Sequence, residues 1–286
     1  MYDLIEVGNR KVKNIVIGTI VVVLAILLLI VAYKIIFSNK STQQEIQNTI
    51  AEVEIKKTRH IAKLSMKPVF TQAVFERINN IYRSNEKIAY LTFDDGPSRT
   101  VTPLILDLLK QENIKATFFV LGNRVEKNPD LVKRAYEEGH FIANHGYSHN
   151  YSYIYSSPQA LLDEYNQAQN AIKNALQTDY DGHLFRFPGG LAGGKYAAIK
   201  QEAKVLLEQN NICHVDWNAL SQDSAGAKTK EALIQNVIDT VGNKNVVVIL
   251  MHDAGDKILT YETLPDVIAY LKGQGYSFKN FYDIMK

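Results

Sequence analysis

Hydrophobic and polar positions change rhythm three times along the chain. Residues Ile15 to Tyr33 read IVIGTIVVVLAILLLIVAY, 19 positions without a charge. At 1.5 Å per residue such a run spans about 28 Å, close to a bilayer core of about 30 Å. The pattern predicts a single transmembrane helix over 15–37. Arg10, Lys11 and Lys13 precede it and Lys34 and Lys40 follow it, a bias that puts the N-terminus on the cytoplasmic side. A cleaved signal peptide would have a shorter apolar stretch and end in a small-residue site, and no such site precedes the polar stretch.

From Ser41 to about Ser84 the chain is polar and helix-prone. Ile46, Ile50, Val53, Ile61 and Leu64 fall near helical spacing. Pro68 interrupts the pattern, and a second amphipathic piece runs from Phe70 to Tyr82. This predicts a helical stalk over 38–85, or helices packed on the following domain; the heptads are too few for a coiled coil.

After Glu86, short β-rich runs (88–94, 116–121, 141–145, 184–188, 212–219, 245–251 and 276–279) alternate with helical patterns (101–111, 129–138, 158–176, 195–209, 229–241 and 261–272). Strand–helix alternation predicts a mainly parallel sheet with right-handed crossovers. About seven units in about 200 residues is near the small end for a (β/α) barrel. A doubly wound open sheet is the alternative, but no G-x-G-x-x-G follows the first strand. The expected organisation is a cytoplasmic tail at 1–14, an anchor at 15–37, a stalk at 38–85 and one α/β domain at 86–286.

Composition narrows the classes. With 46% hydrophobic and 10% aromatic residues, the chain is no disordered tail. Its single cysteine, Cys213, excludes a disulfide scaffold and reads as a buried thiol within the run ICHVDW. With 32 basic and 30 acidic side chains, it lacks the basic excess of a nucleic-acid binder. Residues 1–40 hold five basic and two acidic side chains, so the net +2 resolves into +3 at the membrane flanks and −1 beyond them.

Chemistry-bearing residues gather just past the predicted strand ends, where a β/α barrel builds its active face. The first strand ends in Asp94-Asp95-Gly96-Pro97, the third in His145-Gly146-Tyr147-Ser148-His149, and the fourth in Arg186-Phe187-Pro188-Gly189. The fifth ends near Asp223, and the sixth in Leu250-Met251-His252-Asp253. Two histidines with a carboxylate make a three-ligand N/O set that suits zinc, with cobalt, manganese or iron as alternatives. The zincin helix motif is excluded because Gly146, not Glu, follows His145. Adjacent carboxylates repel unless partnered; one aspartate can ligate the metal while Arg186 holds the other as a base. Two ordinary loop histidines and an Asp-Gly-Pro turn are the plain alternative, which explains Gly96 and Pro97 well and the paired aspartates poorly.

The runs TFDDGP, H-x-x-x-H, R-F-P, a Trp-containing strand followed by Asp, and L-M-H resemble, in order, the five motifs of polysaccharide deacetylases. That is the NodB-like homology domain of carbohydrate esterase family 4, and the resemblance covers about residues 86–286. It implies an α/β fold, a distorted (β/α)7 TIM-like barrel, and metal-dependent removal of N-acetyl groups from sugars such as N-acetylglucosamine. By the same resemblance Asp94 is the catalytic base, Asp95, His145 and His149 are metal ligands, and Arg186 orients the base. His252 is the general acid, and Leu250 lines the acetate pocket.

The chain departs from the pattern in three places. Gly146 stands where the family prefers Ser or Thr. Gly189 stands where motif three usually has Tyr, leaving its N–H to meet the oxyanion and implying a differently shaped cleft. Motif four reads either through Asp216-Trp217 or with Trp217 in the strand and Asp223 at its end as the partner of His252; strand-end geometry favours Asp223. Tyr151, in a tyrosine-rich loop, is a candidate sugar platform. The expected protein is a single-pass plasma-membrane deacetylase with its catalytic domain outside, acting on peptidoglycan or an attached wall polysaccharide. No nucleic acid or obligate protein partner is expected. The alternative is a non-catalytic glycan-binding or scaffolding module that retains the barrel.

Overall fold

The computed structural model of the chain describes residues 24–34, 43–52, 54, 68 and 70–285. It divides into two compact units, Met1–Leu64 and Ser65–Lys286. In the first, residues 24–34 and 43–52 are helical. Among the described residues no helix is long and apolar enough to cross a membrane. The predicted tail at 1–14 lies outside the described residues, as do residues 15–23 and 35–37 of the predicted span and residues 38–42, 53, 55–67 and 69 of the predicted stalk.

The second unit alternates strand and helix. Helix α1 (Gln72–Asn79) leads into β1 (Ile88–Asp94), α2 (Thr102–Gln111) and β2 (Thr117–Val120). Then come α3 (Gly122–Lys127), α4 (Pro129–Glu137), β3 (Phe141–Asn144), α5 (Tyr151–Ile154) and α6 (Pro158–Leu176). The chain continues with β4 (Leu184–Phe185), α7 (Ala197–Gln209), β5 (Cys213–His214), β6 (Ala219–Leu220) and α8 (Lys230–Val241). It ends with β7 (Val246–His252), α9 (Ile258–Gly273), β8 (Ser277–Phe278) and α10 (Tyr282–Met285). Strands β1 and β7 are apolar runs covered on both faces, and every residue of each is buried, as parallel strands under helices must be.

All pairings are parallel, and the strand order is β5-β4-β3-β2-β1-β7-β6. The end strands β5 and β6 are consecutive in the chain, separated only by residues 215–218. Four linking residues reach at most about 17 Å, whereas a flat seven-strand sheet would set its edges about 29 Å apart. The sheet is therefore curled on itself, with an unpaired seam between β5 and β6. The run read as one strand over 212–219 is two short strands flanking that seam.

The bottom of the curl is closed by the C-terminal segment. Strand β8 pairs with Ile88 and Ala89 on the edge of β1 whose upper part, from Thr92, pairs with β2. Phe281, fully buried, packs against Tyr90, Phe141 and Phe119 at centroid distances of 5.3, 6.1 and 6.4 Å. The Asn280 side chain donates to the Gly139 carbonyl at 2.9 Å. Phe281→Ala is expected to cost about 3–5 kcal/mol by opening a cavity under the barrel, read as a lowered midpoint in urea unfolding. Val74 and Ile78 of α1 join the same core, so the amphipathic piece from Phe70 onward packs on the α/β unit.

Candidate active site

The site occupies the end of the curl where the strands finish. Asp95 leaves β1 with φ 70°, and Gly96 follows it because a Cβ there would run into the Asp253 carboxylate. Asp253 is itself fully buried, with its Oδ2 accepting from the Thr102 hydroxyl at 2.5 Å. His145 Nε2 and His149 Nε2 lie 3.6 and 3.3 Å from Asp95 Oδ1. That oxygen is buried and has no hydrogen-bond partner.

The donor set fits a cation. His145 Nδ1 lies 2.8 Å from the Arg186 carbonyl, which can only accept, so Nδ1 carries the proton and Nε2 presents its lone pair toward Asp95. Burial pushes the His145 pKa down to about 3, against the opposing pull of Asp95, so the ring stays neutral as a ligand must. The ligand atoms of Asp95, His145 and His149 all lie within 4.8 Å of one another, and the orphaned Asp95 oxygen is what a divalent ion would satisfy.

Asp94, the residue before Asp95, faces the trio with one oxygen, its Oδ2 lying 3.8 Å from His145 Nε2, and Arg186 with the other. Its Oδ1 accepts from Arg186 Nη1 at 2.8 Å, and that nitrogen also donates to the Thr92 hydroxyl at 2.7 Å. Arg186 is wholly buried; its Nε and Nη2 donate to the carbonyls of Val215 and Asp216, both at 3.1 Å, and its guanidinium lies 3.9 Å from the Phe119 ring centroid. Burial pushes the Asp94 carboxyl above its usual range, opposed by Arg186 and His252.

On the far wall, Asp223 gathers His252. Asp223 Oδ1 lies 2.7 Å from His252 Nδ1, and Oδ2 accepts from the His252 backbone N–H at 2.8 Å and the Thr260 hydroxyl at 2.7 Å. Burial alone would lower the His252 pKa, but the hydrogen bond and charge of Asp223, with the charges of Asp94 and Asp95, push it up to about 9. Burial would raise Asp223, and its bonds to His252 and Thr260 more than offset that, leaving it below the usual carboxylate range. Asp216 does something else: its carboxylate accepts from Leu191 N at 2.9 Å, fixing the turn after Pro188.

The remaining candidates line the rim. Leu250 is buried on β7 beside Leu220 and Thr92. Trp217 lies with its ring centroid 5.7 Å from the Arg186 guanidinium. Gly189 has φ 73°, and a Cβ there would approach the Tyr151 hydroxyl to 2.8 Å, so the glycine makes room for Tyr151. Gly146 has φ 86°, a left-handed conformation that Ser or Thr adopts only under strain. Two grooves flank the mouth. One of about 290 Å³ runs beside Asp95 and His149 past Arg124 and Lys257; the other, of about 360 Å³, runs beside Tyr151 and Gly189 past Lys195 and Tyr196.

Comparison with known proteins decides the family. The polysaccharide deacetylase profile matches residues 82–206. A peptidoglycan-N-acetylglucosamine deacetylase of Bacillus cereus is 35% identical over 71% of this chain and 90% of its own length. The chain belongs to the polysaccharide deacetylase family. The peptidoglycan-N-acetylglucosamine deacetylase of Listeria monocytogenes serotype 1/2a is 36% identical over 68% of this chain, which spans only 38% of that longer relative. Among solved structures, a carbohydrate esterase family 4 enzyme of Streptococcus mutans is 31% identical, covers 75% of this chain and 92% of its own, and superposes with a TM-score of 0.65.

Several contributors to this polysaccharide deacetylase site escape motif reading. Thr260 holds Asp223 through a hydroxyl that no pattern marks, and Thr92, although it opens the TFDDGP run, gives no sign in the sequence of its bond to Arg186. Asp253 was visible beside His252 but carried no signal of its contact with Gly96. Glu164 had a signal: it is charged yet falls on the apolar stripe of α6 formed by Leu161, Tyr165 and Ala168.

Proposed function

We propose that this chain is a metal-dependent deacetylase that removes acetyl groups from N-acetylated sugars, N-acetylglucosamine first, in bacterial cell-wall glycans. The observation that carries the reading is the joint geometry of three groups at one mouth. A cation-binding trio (Asp95, His145, His149) shares the mouth with an arginine-held carboxylate, Asp94, and with its register partner on the next strand, the carboxylate-held imidazole of His252. The flanking grooves suit a polymer that continues past the reacting sugar on both sides.

A divalent ion held by Asp95, His145 and His149, zinc by donor chemistry, would supply Lewis-acid polarisation and a more acidic water. The protein does the rest. Asp94, oriented by Arg186, takes a proton from the water as its oxygen forms a bond to the acetamide carbon. The Gly189 N–H stabilises the charge that develops on the carbonyl oxygen. His252, held protonated by Asp223, delivers a proton to the nitrogen as the C–N bond breaks, leaving acetate and a free amino sugar. Leu250 borders the acetyl group, and Tyr151 and Trp217 wall the sugar.

Acetate release from fractionated wall polymers, with metal-loaded protein, tests this reading. Release from peptidoglycan or from an attached polysaccharide would name the substrate. Metal-loaded protein that binds glycan but frees no acetate from any fraction would favour the binding-module alternative. The uncharged run at residues 15–33 supports tethering to the plasma membrane with the deacetylase unit on the wall side. Protease shaving of intact cells should then remove the unit, and protection from protease would reject that placement.

A further inference from the structure

We propose that Glu164 of α6 is a positioning residue that holds the segment between His145 and His149 in its metal-binding shape. Two histidines four apart on a helix would meet through the helix's own backbone ladder. Here the intervening segment is a loop, entered through Gly146 at φ 86° and left through His149 at φ 58°, so its backbone groups need outside partners.

Glu164 supplies two of them. It is 1% exposed, and its Oε2 accepts from the backbone N–H groups of both Tyr147 and Ser148 at 2.7 Å. Asn144 completes the set: its Oδ1 accepts from Gly146 N at 2.9 Å, and its Nδ2 donates at 2.9 Å to the carbonyl of Tyr165, the residue after Glu164. The loop's outward carbonyls at Gly146 and Tyr147 accept from Gly122 N at 2.9 Å and Asn123 N at 3.2 Å. Three consecutive N–H groups are thus drawn onto side chains behind the histidines, and the ring nitrogens are left to point forward.

Among the described residues no Lys, Arg or His lies within 4 Å of the Glu164 carboxylate. A buried carboxylate without a cationic partner is an expensive way to fill a helix face, since a leucine would pack beside Leu161 and Tyr165. Its place here is explained by the loop it grips.

This inference rests on the metal-dependent reading, and Co²⁺ as a spectroscopic probe separates the two. In the full chain, Glu164→Asp keeps the charge but falls short of the two N–H groups. It should weaken Co²⁺ binding about 10–100-fold and alter the visible Co²⁺ absorption. Glu164→Gln, whose amide oxygen can accept both N–H groups, should restore the wild-type spectrum and bring affinity back to within a few-fold. Glu164→Ala should lose as much as Glu164→Asp; if it does not fold, the Asp and Gln pair carries the test. Thermal unfolding in chelator checks that Glu164→Asp is folded. Wild-type Co²⁺ affinity and spectrum in Glu164→Asp would overturn the role given to Glu164. Wild-type protein that binds no Co²⁺ would overturn the metal-dependent reading along with it.

Discussion

Asp94→Asn should lower acetate release by about 10³-fold, within the range expected when a general base is removed, while Co²⁺ binding stays at the wild-type level. The substitution is isosteric, and the asparagine oxygen can still accept from Arg186 Nη1. Arg186 keeps its bonds to Thr92, Val215 and Asp216. What disappears is the group that can take a proton 3.8 Å from His145 Nε2. Because the variant leaves a buried guanidinium without its carboxylate, a loss of stability up to about 3–5 kcal/mol is expected, and activity should be compared below the variant's unfolding temperature. A wild-type rate would move the base to another residue. Loss of Co²⁺ along with the rate would make Asp94 a ligand instead.

Asp223→Asn should change how activity depends on pH, and Asp216→Asn should not. The acid limb of wild-type activity belongs to the base Asp94; a general acid works in its protonated form, so the alkaline limb should fall as pH rises through the His252 value of about 9. Without the Asp223 hydrogen bond and charge, that limb should drop to about 6.5 or below, costing about 30-fold at pH 8 and little at pH 5.5. A divalent ion held by Asp95 would shift the alkaline limbs of both wild type and variant to lower pH by repulsion, so the reading is the displacement between the two limbs rather than the absolute position of either. Asp216 caps Leu191 N and lies outside this couple, so its variant should change the rate at every pH alike. The opposite ranking would transfer the acid's partner to Asp216.

The same pair contributes to stability with a defined sign. The His252 pKa is raised on folding, so its contribution is complete below its unfolded value of about 6.5 and is lost as pH rises through about 9. Asp223 is lowered, so its contribution is present above its unfolded value of about 3.9 and is lost as pH falls through the folded one. The window between these limits is where Asp223→Asn should lower the unfolding midpoint most.

Strand and helix alternation was legible because β1 and β7 are unbroken apolar runs and α6 opens on a Ser-Pro signal, with Ser157 capping Ala160 N. Helix α3 was not legible: it is six residues long and buries only Gly122 and Val125, too short for a period. The seam was hidden for a different reason. Residues 212–219 are apolar enough to read as one strand, but the carbonyls of Val215 and Asp216 are taken by the Arg186 side chain, a long-range event that local pattern does not carry. In the site, residue types and strand-end positions identified the groups that meet. Choosing between Asp216 and Asp223 depended on reach: one faces the turn after Pro188 and the other faces His252. The helix at Gln72–Asn79 was ambiguous in principle, because an amphipathic stripe looks the same whether it meets a partner helix or a barrel.

The unpaired seam makes the barrel a split ring, and Arg186 is its clasp. One side chain from β4's end ties the segment after β5 and reaches across to β1. Closure of the ring and orientation of Asp94 therefore cannot be adjusted separately. An engineer or a lineage seeking a wider cleft for bulkier glycans has no route through residue 186. It must instead change the side chain of Trp217, which stands over Gly190 beside the gap, so that the bonds Arg186 makes to Asp94 and to the segment after β5 stay in place.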